Sequence, residues 1–153
     1  MSQSVIQFSA HGFYDIAVHG QVLWVRATGP WNEQAAQYFC DHTRRAVMAA
    51  GFNGQPWAML AELHGVALYT PGSMPALIAL HRWRVSMGLR RIAIRYGSDA
   101  VGHSLTRSQF EDVYAAGPDE CQSSYFDELD AAQQWLRQGG IDAGPLRLAL
   151  AAR

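Results

Sequence analysis

A chain of 153 residues with 49% hydrophobic and 16% charged side chains has the size of one domain and the apolar content for one core. Its formal net charge of −1 excludes a general electrostatic attraction to nucleic acid or anionic lipid, and the lack of any Lys excludes Schiff-base and P-loop lysine chemistry. Cys40 and Cys121 stand apart with no Cys-x-x-Cys or Cys/His cluster, so neither a redox motif nor a zinc site is expected.

In chain order, Phe13–Val18 and Val22–Thr28 are rich in β-branched and aromatic residues and flank the turn His19-Gly20-Gln21, which predicts a β-hairpin. Gly29-Pro30 is expected to stop the second strand, since proline cannot donate a ladder hydrogen bond. Asn32 is placed to cap a first helix, with Glu33 at its positive end. Ala36, Phe39, Cys40, Thr43, Val47 and Ala50 form its buried face and Gly51 ends it. Trp57–Ala61 is an apolar run suited to a strand buried on both faces. A loop is expected from His64 to Gly72, then a second helix from Ser73 to Met87 with Pro75 in its first turn. Arg91–Arg95 predicts a strand, Val101–Ala116 a third helix ended by Gly117-Pro118, and Ser123–Phe126 a short edge strand. Asp127 is read as the cap of a last helix, Glu128–Gln138.

The resulting order, ββαβαβαβα, implies an α/β mixed sheet that opens with a β-hairpin and has helices packed on it. Residues 1–140 are expected to form the single domain. A tail, 141–153, carries Leu146, Leu148 and Leu150, with docking on the domain, packing on a partner chain or mobility as its open alternatives. The start, Met1 to Val5, lacks a basic segment followed by an apolar one, and no apolar run approaches the ~20 residues of a membrane span. The expectation is therefore a cytoplasmic protein with reduced thiols and no membrane insertion.

The junction Thr28-Gly29-Pro30-Trp31-Asn32, the strand from Trp57 to Glu62 and the terminal Ala131-Ala132-x-x-Trp135-Leu136, added to the element order, carry a family likeness. Over roughly residues 10–140 the chain resembles bacterial SpoIIAA-like proteins, relatives of the STAS domains of anti-sigma-factor antagonists. The resemblance implies a SpoIIAA/STAS-like fold and regulation through a protein partner. It also implies a serine phosphorylated at a helix N-terminus, where a phosphate's charge switches partner binding. Here the matching strand ends in Glu62 rather than Asp. Pro71 and Gly72 occupy the acceptor positions, flanked by Thr70 and Ser73, whose expected role is capping the second helix.

Candidate chemistry is sparse. There is no His-Glu-x-x-His and no Gly-x-Ser-x-Gly, so no catalytic, metal or cofactor residues are assigned. His64, just past the central strand, lies where open α/β sheets bind ligands, and Glu62 is positioned to polarise it. His81 is expected at the core edge of the second helix and His103 has no evident partner. Cys40 reads as a small core residue, and Asp119 and Glu120 are expected to raise the Cys121 pKa. Arg82, Arg84, Arg90, Arg91 and Arg95, with Trp83, form a basic stretch. Arg82 and Arg84 nevertheless lie about 200° apart on a helix, which argues against a nucleic-acid face.

The second helix carries one apolar stripe of Met74, Leu77, Ile78 and Val85 and another of Leu80, Trp83 and Met87. Two stripes suit burial with an oligomeric contact, or a groove for an apolar ligand. The leading expectation is a non-enzymatic binding or regulatory module acting through protein–protein contact, as a homodimer. The alternative is a carrier of a small apolar ligand or lipid at Leu68, Tyr69, Trp83 and Met87. A third reading is an enzyme using Glu62 and His64 as an acid/base pair.

Overall fold

The computed structural model describes residues 12–144, so the start of the chain and Leu146, Leu148 and Leu150 of the tail lie outside the described residues. Within that span the order of elements is the expected one. Strands β1 (Phe13–His19) and β2 (Val22–Trp31) form the hairpin, and helix α1 (Glu33–Ala50) follows. Then come β3 (Trp57–Tyr69), a 3₁₀ turn (Pro71–Ser73), α2 (Met74–Ser86), β4 (Leu89–Tyr96), α3 (His103–Ala115), β5 (Gln122–Phe126) and α4 (Leu129–Gln138). The five strands lie in the order β1-β2-β3-β4-β5, with β1–β2 antiparallel and every other pair parallel.

Alternation along the strands sends side chains to two layers. Leu23, Val25, Ala27, Met59, Ala61, Leu63, Ile92 and Ile94 face one side and meet Phe39, Cys40 and Val47 of α1, Leu80 of α2, and Phe110 and Tyr114 of α3. Val22, Trp24, Ala58, Leu60 and Ala93 face the other side, where Ala132 and Leu136 of α4 cover them together with Ile141 and Ala143. The beginning of the tail is therefore part of the core. Asp142 also exchanges hydrogen bonds with Gln21, its amide donating to the Gln21 side chain at 2.8 Å and its carbonyl accepting from the Gln21 amide at 2.9 Å. The packed unit thus runs past residue 140.

Helix α1 forms as its sequence dictates. Asn32 Oδ1 accepts from the Ala35 amide at 2.9 Å, the buried stripe is Ala35, Ala36, Phe39, Cys40, Thr43 and Val47, and Gly51 closes the helix in the left-handed region at φ 66°. Trp57 anchors the start of β3. It is fully buried, stacks on Phe52 with ring centroids 5.0 Å apart, and donates from Nε1 to the Met87 carbonyl at 2.9 Å.

Several boundaries differ from the sequence expectation for identifiable reasons. Strand β2 continues through Gly29-Pro30, whose peptide bond is cis, to Trp31. The register against β3 shifts between Gly29 and Trp31, and such an irregularity is where a sheet accepts proline. The stretch from His64 to Tyr69 is strand rather than loop, because Leu63, His64, Gly65 and Tyr69 pair with Ala27, Thr28, Gly29 and Trp31. The third helix begins at His103, after Gly102 at φ 71°. The last begins at Leu129, with Glu128 rather than Asp127 at the cap position and no side-chain hydrogen bond there.

Gly29 is the tightest point of the β2–β3 junction. A Cβ at this position would collide with the Val66 carbonyl oxygen and come within 2.9 Å of the Ala67 Cα, both backbone atoms that have no rotamer to yield. Gly29→Ala is therefore expected to cost about 2–3 kcal/mol of stability in chemical denaturation, the upper part of the range for overpacking.

Candidate functional site

Between the sheet and helices α2 and α3 the side chains leave an apolar cavity of about 80 Å³. Its floor is Val25, Ala27, Met59, Ala61, Leu63 and Ile94, and its walls include Phe39 of α1, Leu77, Leu80 and Arg84 of α2, and Phe110, Val113 and Tyr114 of α3. Small residues on the strands create the space. At Ala27 and Ala61, diagonal neighbours in adjacent strands, larger residues would fill it. Half-buried residues, Trp31, Ala67, Leu68, Leu77 and Phe110, gather towards the C-terminal ends of the parallel strands, whereas Met59, Leu80 and Arg84 are buried. The cavity therefore opens towards the strand C-terminal edge, where sheets of this kind take ligands, and closes on Arg84.

The rim is fastened by Tyr69. Its hydroxyl donates to the Gln109 carbonyl at 2.7 Å, its amide donates to Gln109 Oε1 at 3.1 Å, and its carbonyl accepts from Gln109 Nε2 at 3.0 Å. Three bonds between one residue of β3 and one of α3 hold that wall in place. Burial pushes the Tyr69 phenol up to about 12, so it stays a neutral donor.

Of the residues expected at a ligand site, Leu68 and Tyr69 line this cavity and Trp83 and Met87 do not. Successive helical residues are about 100° apart, so with Arg84 turned to the sheet, Trp83 turns away. Its ring lies 5.9 Å from the guanidinium carbon of Arg44 on α1. Met87 sits under Trp57, whose indole it accepts through its carbonyl. Thr70 and Ser73 stand at the end of β3 outside the cavity lining. Their hydroxyls lie 2.9 Å apart, neither side chain caps a helix, and Ser73 is buried at 1% exposure. The expected capping role is replaced by this mutual bond.

Glu62 and His64 point to the opposite face of the sheet, two residues apart on one strand, and they do not pair with each other. Glu62, 5% exposed, sits between Arg26 of β2 and Arg95 of β4, its Oε1 2.5 Å from Arg95 Nη1 and its Oε2 3.6 Å from Arg26 Nε. His64 instead takes Asp99 as partner, Nδ1 to Oδ1 at 2.9 Å, and that hydrogen bond lowers the Asp99 pKa. The acid/base pair expected from sequence is thus two separate pairs, remote from the enclosed cavity. Register explains the first: Arg26, Glu62 and Arg95 are directly opposite one another across three strands.

The remaining basic residues are drawn into the fold. Arg82 donates to the Ala116 carbonyl, Arg90 to Val85 and Leu89, and Arg91 to Trp135, over whose ring it also lies at 4.5 Å. Cys40 is fully buried, as expected of a core residue. The Cys121 thiol is raised to about 11, as expected in direction, but by burial rather than by its acidic neighbours. An open polar hollow of about 340 Å³ lies beside α3 and β5, where Tyr96 stacks on His103 at 4.0 Å and Arg107 lies over Tyr125 at 4.1 Å.

Two features escape the sequence reading. Arg84 is buried at 4% exposure and lines the cavity, although it reads in sequence as part of a basic surface stretch. The spacing Leu77, Leu80, His81, Arg84, Val85 is the signal that would have found it, since these residues recur three or four apart on one helical face. Asp99, the partner of His64, is 35 residues away in the chain and has no local signal. Among the described residues no helix is long and apolar enough to cross a membrane, and no group of three or more His, Cys, Asp or Glu is placed to hold a metal ion. No protein-family model and no curated protein matches the chain.

Proposed function

We propose that this chain is a non-enzymatic binding module that carries a small, largely apolar ligand between its sheet and helices α2 and α3. The observation that carries this reading is the cavity itself. Protein interiors pack with few voids larger than a water, and an empty space lined by hydrocarbon forfeits contacts on every wall. Here that cost falls at the C-terminal edge of parallel strands, with aromatic walls and an opening past Ala67 and Leu68. Native mass spectrometry of protein purified without denaturation is expected to show an adduct that denaturation releases. Ala61→Leu, which puts a larger side chain into the cavity, is expected to lose the adduct while remaining folded. A wild-type protein that carries no adduct and binds no member of an alkanol or alkanoate series would remove the proposal.

A SpoIIAA-like regulatory module acting as a homodimer through protein contact is the second reading. It draws support from the element order, from the opening hairpin, and from β1 and β5, which stand as the two edges of the sheet. Size-exclusion chromatography with light scattering separates the readings. A monomer at all concentrations, with no partner retained, would count against the regulatory one.

A further inference from the structure

The closed end of the cavity holds a charge with no counter-charge. Arg84 is 4% exposed, its Nε has no hydrogen-bond partner, and its Nη1 donates only to the Met59 sulfur at 3.2 Å, a weak acceptor. No carboxylate pairs with it among the described residues, and the ionisable groups that bear on it are Tyr114, Cys121, Cys40 and the like-charged Arg44. A guanidinium does not shed its proton in a protein, so this site cannot escape the cost of burial by neutralising. The part-buried guanidinium of Arg95, by contrast, is answered by the Glu62 carboxylate.

From this we infer that the cavity takes a monocarboxylic acid with a short hydrocarbon tail, its carboxylate held by Arg84 and its tail lying along Leu80, Ala61 and Leu63 towards the opening at Leu68. The inference rests on the proposed binding role of the same cavity and adds the chemical class of its ligand. The planar fork of the guanidinium matches a carboxylate with two parallel hydrogen bonds, and in a water-poor site such charge-assisted bonds are strong. Of the other polar groups in the lining, the Tyr69 hydroxyl and Trp31 Nε1 already donate within the chain, to Gln109 and Thr28. The size limits the tail, for about 80 Å³ is roughly half of the ~150 Å³ cavity that accepts benzene. A short chain is enclosed, and the distal carbons of a longer one protrude through the opening.

Calorimetric titration of the full chain with butanoate, hexanoate, octanoate and decanoate, and with 1-hexanol and hexylammonium, tests this assignment. Hexanoate is expected to bind at least about 100-fold more tightly than 1-hexanol, since the alcohol leaves the guanidinium unanswered, and hexylammonium is expected not to bind. Affinity that peaks at butanoate or hexanoate identifies a free short-chain acid as the ligand type; affinity still rising to decanoate identifies a protruding fatty acyl chain. Arg84→Met is expected to abolish the preference for hexanoate while leaving 1-hexanol binding intact. Its thermal midpoint without ligand is expected to be no lower than that of the wild type. Arg84→Lys, which keeps charge but loses the fork, is expected to weaken hexanoate about tenfold and serves should the methionine variant not fold. Equal affinity for 1-hexanol and hexanoate, or a preference for hexanoate that survives in Arg84→Met, would overturn the carboxylate assignment and leave the apolar cavity as a binding site. Binding of no compound in either series would overturn both.

Discussion

Glu62→Gln is expected to lower the stability of the folded chain by about 3 kcal/mol at neutral pH, read from the midpoint and slope of chemical denaturation. Glu62 is 5% exposed and, among the described residues, is the carboxylate that pairs with both Arg26 and Arg95. Neutralising it leaves two guanidinium groups facing each other across one strand, with a buried amide that answers neither charge. Breaking a buried ion pair by removing one partner costs about 3–5 kcal/mol. The lower end applies because the Arg26 and Arg95 side chains retain 34% and 25% of their exposure and are partly screened by water. Arg26 and Arg95 also have other holds, Arg26 over the Trp24 ring at 4.8 Å and Arg95 Nε on the Asp127 carbonyl at 3.2 Å. Arg26→Ala is consequently the milder change. A loss below about 0.5 kcal/mol for Glu62→Gln would mean that the three-strand network is solvated rather than structural.

Acidification is expected to weaken the fold through His81, by up to about 3 kcal/mol between pH 6.5 and pH 4. His81 is 1% exposed on α2, its Nδ1 has no partner, and its ring lies 5.0 Å from that of Tyr114. Burial, helped by the Arg84 charge one turn along, lowers its pKa to about 4 from an ordinary 6.5. The folded chain thus binds fewer protons at this site than the unfolded chain. Stability is at its plateau above pH 6.5, falls as the unfolded histidine takes up a proton, and stops falling from this cause below about pH 4. His81→Leu removes the site, so the difference in unfolding free energy between the two proteins should vary over that window and be constant above it. Parallel curves for the two proteins down to pH 4 would exclude His81 as a source of acid sensitivity.

The hairpin, α1 and the alternation of strands with helices were legible because each depends on near neighbours. Asn32 meets an amide three residues on, Gly51 turns the chain where it stands, and the stripe through Phe39, Thr43 and Val47 is a property of one helix. The length of β3 was not legible. A loop was expected from His64, but the ladder offered by Ala27, Thr28 and Gly29 extends the strand, and that ladder comes from residues more than thirty positions earlier. Helix α2 was only partly legible for a related reason. Its buried face includes His81 and Arg84, so the contrast between an apolar and a polar side, on which sequence patterning relies, is absent there.

The candidate site divides along the same line. Leu68 and Tyr69 were expected near an apolar ligand because the two apolar stripes of the second helix suit a groove, and they do line the cavity. Glu62 and His64 were expected together because they are two residues apart, but that spacing in a strand only places them on one face. Their partners, Arg26, Arg95 and Asp99, come from other strands and loops.

Taken alone, the order of residues determined the α/β class, the element sequence and the positions of the turns, since apolar spacing, caps and glycine or proline punctuation act over a few residues. Tertiary structure alone decided which charges meet, that an apolar cavity stays open beside Ala27 and Ala61, and that Arg84 ends up inside it. The physical reason is range: backbone preference is set locally, whereas burial and ion pairing depend on which distant surfaces the packing brings into contact.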